Sequence, residues 1–327
     1  MIPVITIEGA TASGKSALAI ALAEALNTEI ISADSRQVYR YMDIGTAKIT
    51  KEEQKRVKHH LIDIINPNES YNAGAFVKDA SIIIEKLYSE GKIPLICGGT
   101  GLYVKSLLKG LFSLPPLPKE IRQNLKQRLE KEGPAVLYAE LLKLDPLFAD
   151  KISENDTQRI LRGLEVALGT GIPLSEHWQK QQLSCKYNAF RILIDIPRPE
   201  LYKRINLRME KMLAQGLLDE IEKLLAWGYE ENSPGLNCLG YKEFLPYLQK
   251  KAELKDCVLM ATQHQRNYAK RQITWYRKCS FDLVISPSGI TMPPSFKNNR
   301  KNDFPVVFWV DKAINPPVFL ICQPPPL

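Results

Sequence analysis

The sequence has no apolar run approaching the ~20 residues that a helical membrane span needs. Its start, Met1-Ile-Pro-Val-Ile-Thr-Ile, lacks the basic region of a signal peptide and runs straight into a glycine-bearing loop. The chain therefore reads as a cytoplasmic protein with no membrane attachment. Its six cysteines, at 97, 185, 238, 257, 279 and 322, show neither the close pairing of a zinc site nor the density of a disulfide scaffold, and read as reduced thiols. No internal repeat is apparent. What is present suffices for a sizeable core: 327 residues, 45% hydrophobic and 24% charged, enough for one large domain or two. Lys and Arg total 44 against 36 Asp and Glu, a formal charge of +8 that favours a polyanionic partner but is also common among proteins with none.

The pattern predicts an α/β fold, a P-loop-type parallel sheet flanked by helices with a helical insertion domain. Val4–Ile7 reads as a strand, followed by a glycine turn and a helix from about Lys15 to Leu26. Glu29–Ala33 is a second strand, Ala73–Ser89 a helix and Ile93–Cys97 a third strand. After the stiff linker Leu114-Pro-Pro-Leu-Pro118, the stretches Lys119–Lys143 and Asn155–Leu168 carry helical periodicity with no strand between them. Strand Arg191–Ile196 returns the chain to the sheet. Helices then follow at Pro199–Gln215, Leu217–Trp227 and Glu253–Lys278, and Phe281–Ile285 adds a last strand. The expected division is thus a core of 1–113 with 191–286, an insertion of 114–190, and a Pro-rich extension of 287–327 containing an apolar run at Phe304–Val310.

Chemistry begins at Gly9-Ala10-Thr11-Ala12-Ser13-Gly14-Lys15-Ser16, which satisfies G-x-x-x-x-G-K-[ST] after a strand and at the opening of a helix. Glycines let backbone N–H groups turn toward a phosphate, the helix N-terminus adds partial positive charge, and Lys15 adds a full one. Ser16 is the natural metal ligand. An NTPase or kinase would hold Mg²⁺ with a second carboxylate at the end of an apolar strand, but Ile93–Cys97 ends in Gly98-Gly99-Thr100-Gly101. The better-placed carboxylate is Asp34, at the C-terminal end of the second strand, where ligands of open α/β sheets gather. Asp34 also suits an Asx-turn, an N-cap or a purely Mg²⁺-binding role.

The P-loop text, with Asp34-Ser35-Arg36-Gln37-Val38-Tyr39 and Asp43-Ile44-Gly45-Thr46-Ala47-Lys48, resembles the tRNA dimethylallyltransferase family of bacterial type. The likeness continues through His59-His60-Leu61-Ile62-Asp63, Gly98–Tyr103, Asn155–Arg159 with Arg162, Gly240-Tyr241-Lys242-Glu243 and Tyr268–Trp275, about residues 3 to 280 in order. The resemblance implies transfer of a dimethylallyl group from dimethylallyl diphosphate to the N6 amine of the adenine 3′ to the anticodon in tRNA, releasing diphosphate. It also implies Mg²⁺ as cofactor, and a monomer is expected. It makes Asp34 the general base, with Lys15 and Ser16 beside it as catalytic groups. The diphosphate falls to Gly9 through Ser16 and to an arginine of the helix after Pro199, Arg204 or Arg208, of which Arg208 is preferred.

For tRNA the matching positions are Asp34, Ser35, Arg36, Gln37, Thr100, Arg122, Gln158, Arg159, Arg162, Asn237, Gly240, Tyr241 and Lys242. The insertion is expected to bind the anticodon stem. Spacing adds that Arg159 and Arg162 lie one helical turn apart, and that Arg266, Lys270 and Arg277 fall along one stripe that suits a phosphate backbone or an ordinary solvated face. Trp275 and Tyr276 read as core anchors. His59-His60 is a poor metal site because adjacent strand residues point to opposite faces, and Asp63 is more suited to orienting the site or capping a turn than to acting as a second base. Two departures from the family pattern stand out. Ala10 replaces a common proline, and the insertion opens Leu117-Pro118-Lys119-Glu120-Ile121-Arg122 without the expected aspartate.

Overall fold

A computed structural model describes residues 1–110, 117–180, 186–287 and 289–291, with two short strands at 310–311 and 318–319. The described residues fall into two compact units, one from 1–109 and 185–327, the other from 110–184.

The first unit is built on β1 (Ile2–Gly9), whose apolar residues are buried on both faces, as a central parallel strand requires. It leads through the P-loop into α1 (Lys15–Ala25), β2 (Ile30–Ser32), α2 (Lys51–Arg56), β3 (His59–His60), α3 (Ala73–Ser89), β4 (Leu95–Gly98) and α4 (Gly101–Lys109). The order of the sheet is β3-β2-β4-β1, continuing through β5 (Tyr187–Ile194), β6 (Leu283–Ser286) and β7 (Gly289–Thr291). All neighbours pair in parallel except β6 and β7. The expected parallel sheet flanked by helices is therefore present, with one antiparallel strand at its edge that the sequence reading lacked.

Gly14 has φ 93°, a left-handed conformation that lets the chain turn from the loop into α1 without a Cβ penalty. At Gly98 the requirement is space. Ala33 donates its N–H to Cys97 at 2.8 Å and its carbonyl accepts from Thr100 at 3.2 Å, so the ends of β2 and β4 run against each other. A Cβ on Gly98 would overlap the Ala33 carbonyl. The P-loop, Asp34 and Gly99 are thereby gathered at the C-terminal edge of adjacent strands.

The second unit contains α5 (Lys119–Glu132), α6 (Pro134–Leu144), α7 (Pro146–Ala149), α8 (Thr157–Thr170) and α9 (Leu174–Lys180). Its core packs Leu125, Leu137, Leu141, Phe148, Ile160 and Leu164. The single helix expected over Lys119–Lys143 is broken at Gly133, which takes φ 80°, with Pro134 opening the next helix where its missing N–H costs nothing.

Back in the first unit, α10 (Arg198–Ala214), α11 (Leu217–Ala226), α12 (Leu245–Leu248) and α13 (Leu254–Tyr276) follow β5. Besides α4, the short α2, α7, α9 and α12 go beyond the expected helices, because one to two and a half turns carry too little periodicity to be read. The inner face of α13 buries Cys257, Ala261, Thr262, Gln265, Ala269, Gln272 and Tyr276, a helical stripe that includes two glutamines. Strands β8 (Val310–Asp311) and β9 (Val318–Phe319) pair with each other. Most of the predicted linker, the Phe304–Val310 run and the Pro-rich end lie outside the described residues. Among the described residues no helix is long and apolar enough to cross a membrane.

Replacing Gly98 by alanine forces β2 and β4 apart where Ala33 and Cys97 hydrogen-bond. Gly98→Ala is expected to lower stability by about 1–3 kcal/mol, the usual cost of overpacking, read as an earlier midpoint in urea denaturation.

Candidate active site

A cavity of about 480 Å³ opens at the C-terminal edge of β1, β2 and β4. Thr11, Ala12, Gly14, Lys15 and Ser16 form one side of it, and Asp34 through Gln37 another. Lys15 Nζ donates to the carbonyl of Ala10 at 2.8 Å. No carboxylate forms an ion pair with Lys15 among the described residues, and enclosure of its ammonium pushes the pKa down to about 8, with Arg208 adding to the effect and Asp34 opposing it. The cavity thus holds positive charge that is poorly compensated from within, the condition for capturing an anion.

Arg208 Nη1 donates to Thr11 Oγ1 at 3.3 Å and lines the cavity. Arg204, one turn earlier on α10, pairs instead with Glu200 at 2.9 Å. This separates the two arginines that the sequence left as alternatives. Ser13 is buried beside Gly9, and its Oγ has no hydrogen-bond partner among the described residues. Ala10 lines a second cavity with Tyr276 and Phe281.

Asp34 does form an Asx-turn: Oδ1 accepts from Arg36 N at 2.8 Å and from Gln37 N at 3.4 Å. Those bonds use one oxygen and fix the carboxylate's direction, leaving Oδ2 for a substrate. The bland and the chemical readings of this residue are therefore compatible. Ser35 N donates to Thr100 Oγ1 at 3.0 Å, tying the strand end to the loop after β4. Arg36 Nη1 lies 2.7 Å from Cys238 Sγ, and burial pushes that thiol up to about 11, so it meets the guanidinium as a neutral acceptor.

Asn237 and Lys242 also line the cavity and are exposed. Gly240 and Tyr241, expected to touch RNA, are buried and do not line the cavity. Gly240 N donates to Glu243 at 2.8 Å, and Tyr241 is 0% exposed with its ring against Gly45 and its hydroxyl 2.7 Å from Glu220 Oε1. Glu220 also accepts the N–H groups of Asp43 and Ile44 at 2.8 Å and of Gly45 at 3.2 Å. Gly240 and Tyr241 therefore brace the 43–45 turn from behind. Asp63 behaves as a structural acid, paired with the buried Lys48 at 2.6 Å. Arg266, assigned to a basic stripe, is held by Asn206 at 2.7 Å, which leaves Lys270 and Arg277 as its exposed members.

In the second unit Arg122 and Arg162 both donate to Glu165, at 3.0 and 2.9 Å, so two guanidinium groups are held on one nearly buried carboxylate. Gln158 is exposed, and Arg159 lies 3.4 Å from Asp156. Sequence reading missed His59, Gln265, Tyr268, Arg271 and Gln272, all of which line the cavity. The last four follow the helical period of α13, and two glutamines on an otherwise apolar stripe were the available signal.

Diphosphate bound at the loop would hold Lys15 protonated, raising its pKa above the free value of about 8. Between the two values, binding takes up a proton and must weaken as pH rises. Calorimetry of inorganic pyrophosphate is expected to show affinity falling above about pH 8 with proton uptake in buffers of different ionisation enthalpy. In Lys15→Met the share of that uptake due to the lysine is lost.

A sequence model described as IPP transferase matches residues 37–279. The tRNA dimethylallyltransferase 1 of Trichlorobacter lovleyi is 44% identical over 275 residues, covering 84% of this chain and 90% of that protein. The tRNA dimethylallyltransferase of Thermosipho melanesiensis is 44% identical over 295 residues, covering 90% and 97% respectively. Among solved structures, the tRNA delta(2)-isopentenylpyrophosphate transferase of Staphylococcus epidermidis aligns with a TM-score of 0.64 at 39% identity, over 88% of this chain and 93% of that one. A eukaryotic dimethylallyltransferase acting on tRNA aligns with a TM-score of 0.76 at 30% identity, over 88% of this chain and 74% of that one. The matched residues 37–279 include residues of both units, and the chain belongs to the IPP transferase family.

Proposed function

We propose that this chain is a tRNA dimethylallyltransferase, moving a dimethylallyl group from dimethylallyl diphosphate to the N6 amine of the adenine 3′ to the anticodon and releasing diphosphate. The observation that carries this reading is that Asp34 and the P-loop line one cavity, a base beside an anion cradle. The chain's relatives named for the same activity support it.

The exocyclic amine is a weak nucleophile because its lone pair is delocalised into the purine. Asp34 Oδ2 accepts a proton as the nitrogen bonds to the allylic carbon, which lets the lone pair commit to the new bond. The carbon–oxygen bond breaks as the new one forms, and its electron pair leaves on the diphosphate. Lys15, the loop amides and Arg208 stabilise the charge that grows there. The hydroxyl of Thr11 adds a neutral contact.

Ser16 gives the cavity an oxygen donor of the kind Mg²⁺ takes, with no larger acidic cluster among the described residues. This suits an ion that keeps waters and shares a substrate's phosphates. Held through Ser16, Mg²⁺ would supply further positive charge to the leaving diphosphate.

An adenine in a stacked anticodon loop must leave the stack to reach the cavity. Ser35, Arg36, Gln37, Thr100, Asn237 and Lys242 are the side chains that read or hold it. Arg122, Gln158, Arg159 and Arg162 bind the anticodon stem through phosphate contacts, which position the RNA without reading its sequence. The free thiols of Cys97, Cys238, Cys257 and Cys279 suit a reducing cytoplasm, where the chain acts as a monomer.

Purified protein given labelled dimethylallyl diphosphate is expected to label unmodified tRNA and not free AMP. Label in AMP alone, or phosphate release from ATP without transfer, rejects the proposal. Asp34→Ala is expected to cut turnover by about 10²–10⁴-fold, the range for loss of a general base, while tRNA binding stays within about twofold of parent in a filter-binding assay. Equal rates for variant and parent would remove Asp34 from the mechanism.

A further inference from the structure

The loop that would cradle phosphates is partly occupied by the protein itself. Gln272, on the inner face of α13, is 7% exposed. Its Oε1 accepts the N–H of Thr11 at 2.8 Å, and its Nε2 donates to the carbonyl of Gly99 at 2.8 Å. A Cβ built on Gly99 would stand 2.6 Å from Gln272 Nε2 and 3.7 Å from Lys15 Nζ, so the amide and the ammonium both flank this glycine. One turn on, the Tyr276 hydroxyl lies 3.4 Å from the Gly9 carbonyl and 3.3 Å from the Gly99 carbonyl, backing the same bridge. The glutamine therefore spans the gap between the leading half of the P-loop and the loop that follows β4.

P-loops that bind nucleoside triphosphates use this region for the outermost phosphate. The lysine reaches the second and third phosphates, and a strand beside the loop supplies a carboxylate for the metal between them. Here the neighbouring strand β4 ends in Gly98-Gly99 with no carboxylate, and an uncharged amide crosses the space. A third phosphate entering there would have to break both glutamine bonds. It would regain one, from the Thr11 N–H. At the other end it would face the Gly99 carbonyl, an acceptor that repels phosphate oxygens and would keep only the Tyr276 hydroxyl once Nε2 is displaced.

We propose that Gln272 sets the length of the cradle, closing its outer end so that the loop takes a diphosphate and rejects a triphosphate. This rests on reading the P-loop as the diphosphate site and adds the origin of its selectivity, in a residue outside the motif.

The test compares inorganic pyrophosphate with inorganic tripolyphosphate by calorimetry on the full chain in Mg²⁺ buffer. The parent is expected to bind pyrophosphate more tightly, although tripolyphosphate carries more charge and electrostatics alone would favour it. Gln272→Ala opens the gap and is expected to shift the affinity ratio toward tripolyphosphate by about tenfold or more. Gln272→Met keeps the volume without the hydrogen bonds, so it retains most of the discrimination while binding both anions less tightly. Thermal melts check that each variant is folded, and Gln272→Ser serves the same comparison where the alanine variant is not. An unchanged ratio in the opened variant, or a parent that already prefers tripolyphosphate, overturns the proposal. A folded parent that binds neither anion overturns the diphosphate reading itself.

Discussion

The structure depends on keeping an ammonium and several backbone N–H groups in an enclosed space where the one nearby carboxylate, Asp34, makes no ion pair with the ammonium. Lys15 is held by one neutral carbonyl, that of Ala10, and Arg208 by the hydroxyl of Thr11. Burying cations in this way is unfavourable in the free protein, as the depressed pKa of Lys15 shows. The surrounding framework absorbs that cost through the parallel pairing of β1 with β4 and β5 and through the apolar cluster beneath the loop. Each phosphate oxygen that arrives relieves part of the unfavourable term, so binding and charge stabilisation draw on one source.

Much of this was readable before any coordinates. The P-loop is a local pattern whose geometry follows from glycines, a preceding strand and a following helix, and β1 and α1 stand where that pattern requires. Asp34 was singled out by the general rule that ligands collect at the C-terminal ends of parallel strands, and its role as base came from the family resemblance. The helix Ala73–Ser89 agrees end to end with its prediction, because Asn72 caps it with bonds to Gly74 and Ala75 and its apolar residues are periodic.

What escaped the sequence is long-range. Helical period says which residues of α13 share a face, but not that Gln272 on that face meets a loop 261 positions away. The same limit applies to Tyr241. A tyrosine flanked by glycine and lysine looks like a surface reader of RNA, and only the folded chain shows its ring packed on Gly45 and its hydroxyl on Glu220. Arg204 and Arg208 differ in role for an equally non-sequential reason, since Glu200 happens to lie one turn from the first. In the second unit, sequence spacing could align Arg159 with Arg162, yet it is Arg122 that joins Arg162 on the carboxylate of Glu165.

The turn at residues 43–45 presents consecutive backbone N–H groups in the manner of a small anion nest. In this chain the carboxylate of Glu220 fills it and the buried Tyr241 hydroxyl locks that carboxylate in place. The protein carries its own resident acid at that spot, a permanent tenant that turns away the backbone of a polyanionic visitor. The N–H groups of this turn are thereby withheld from any phosphate that enters the cavity.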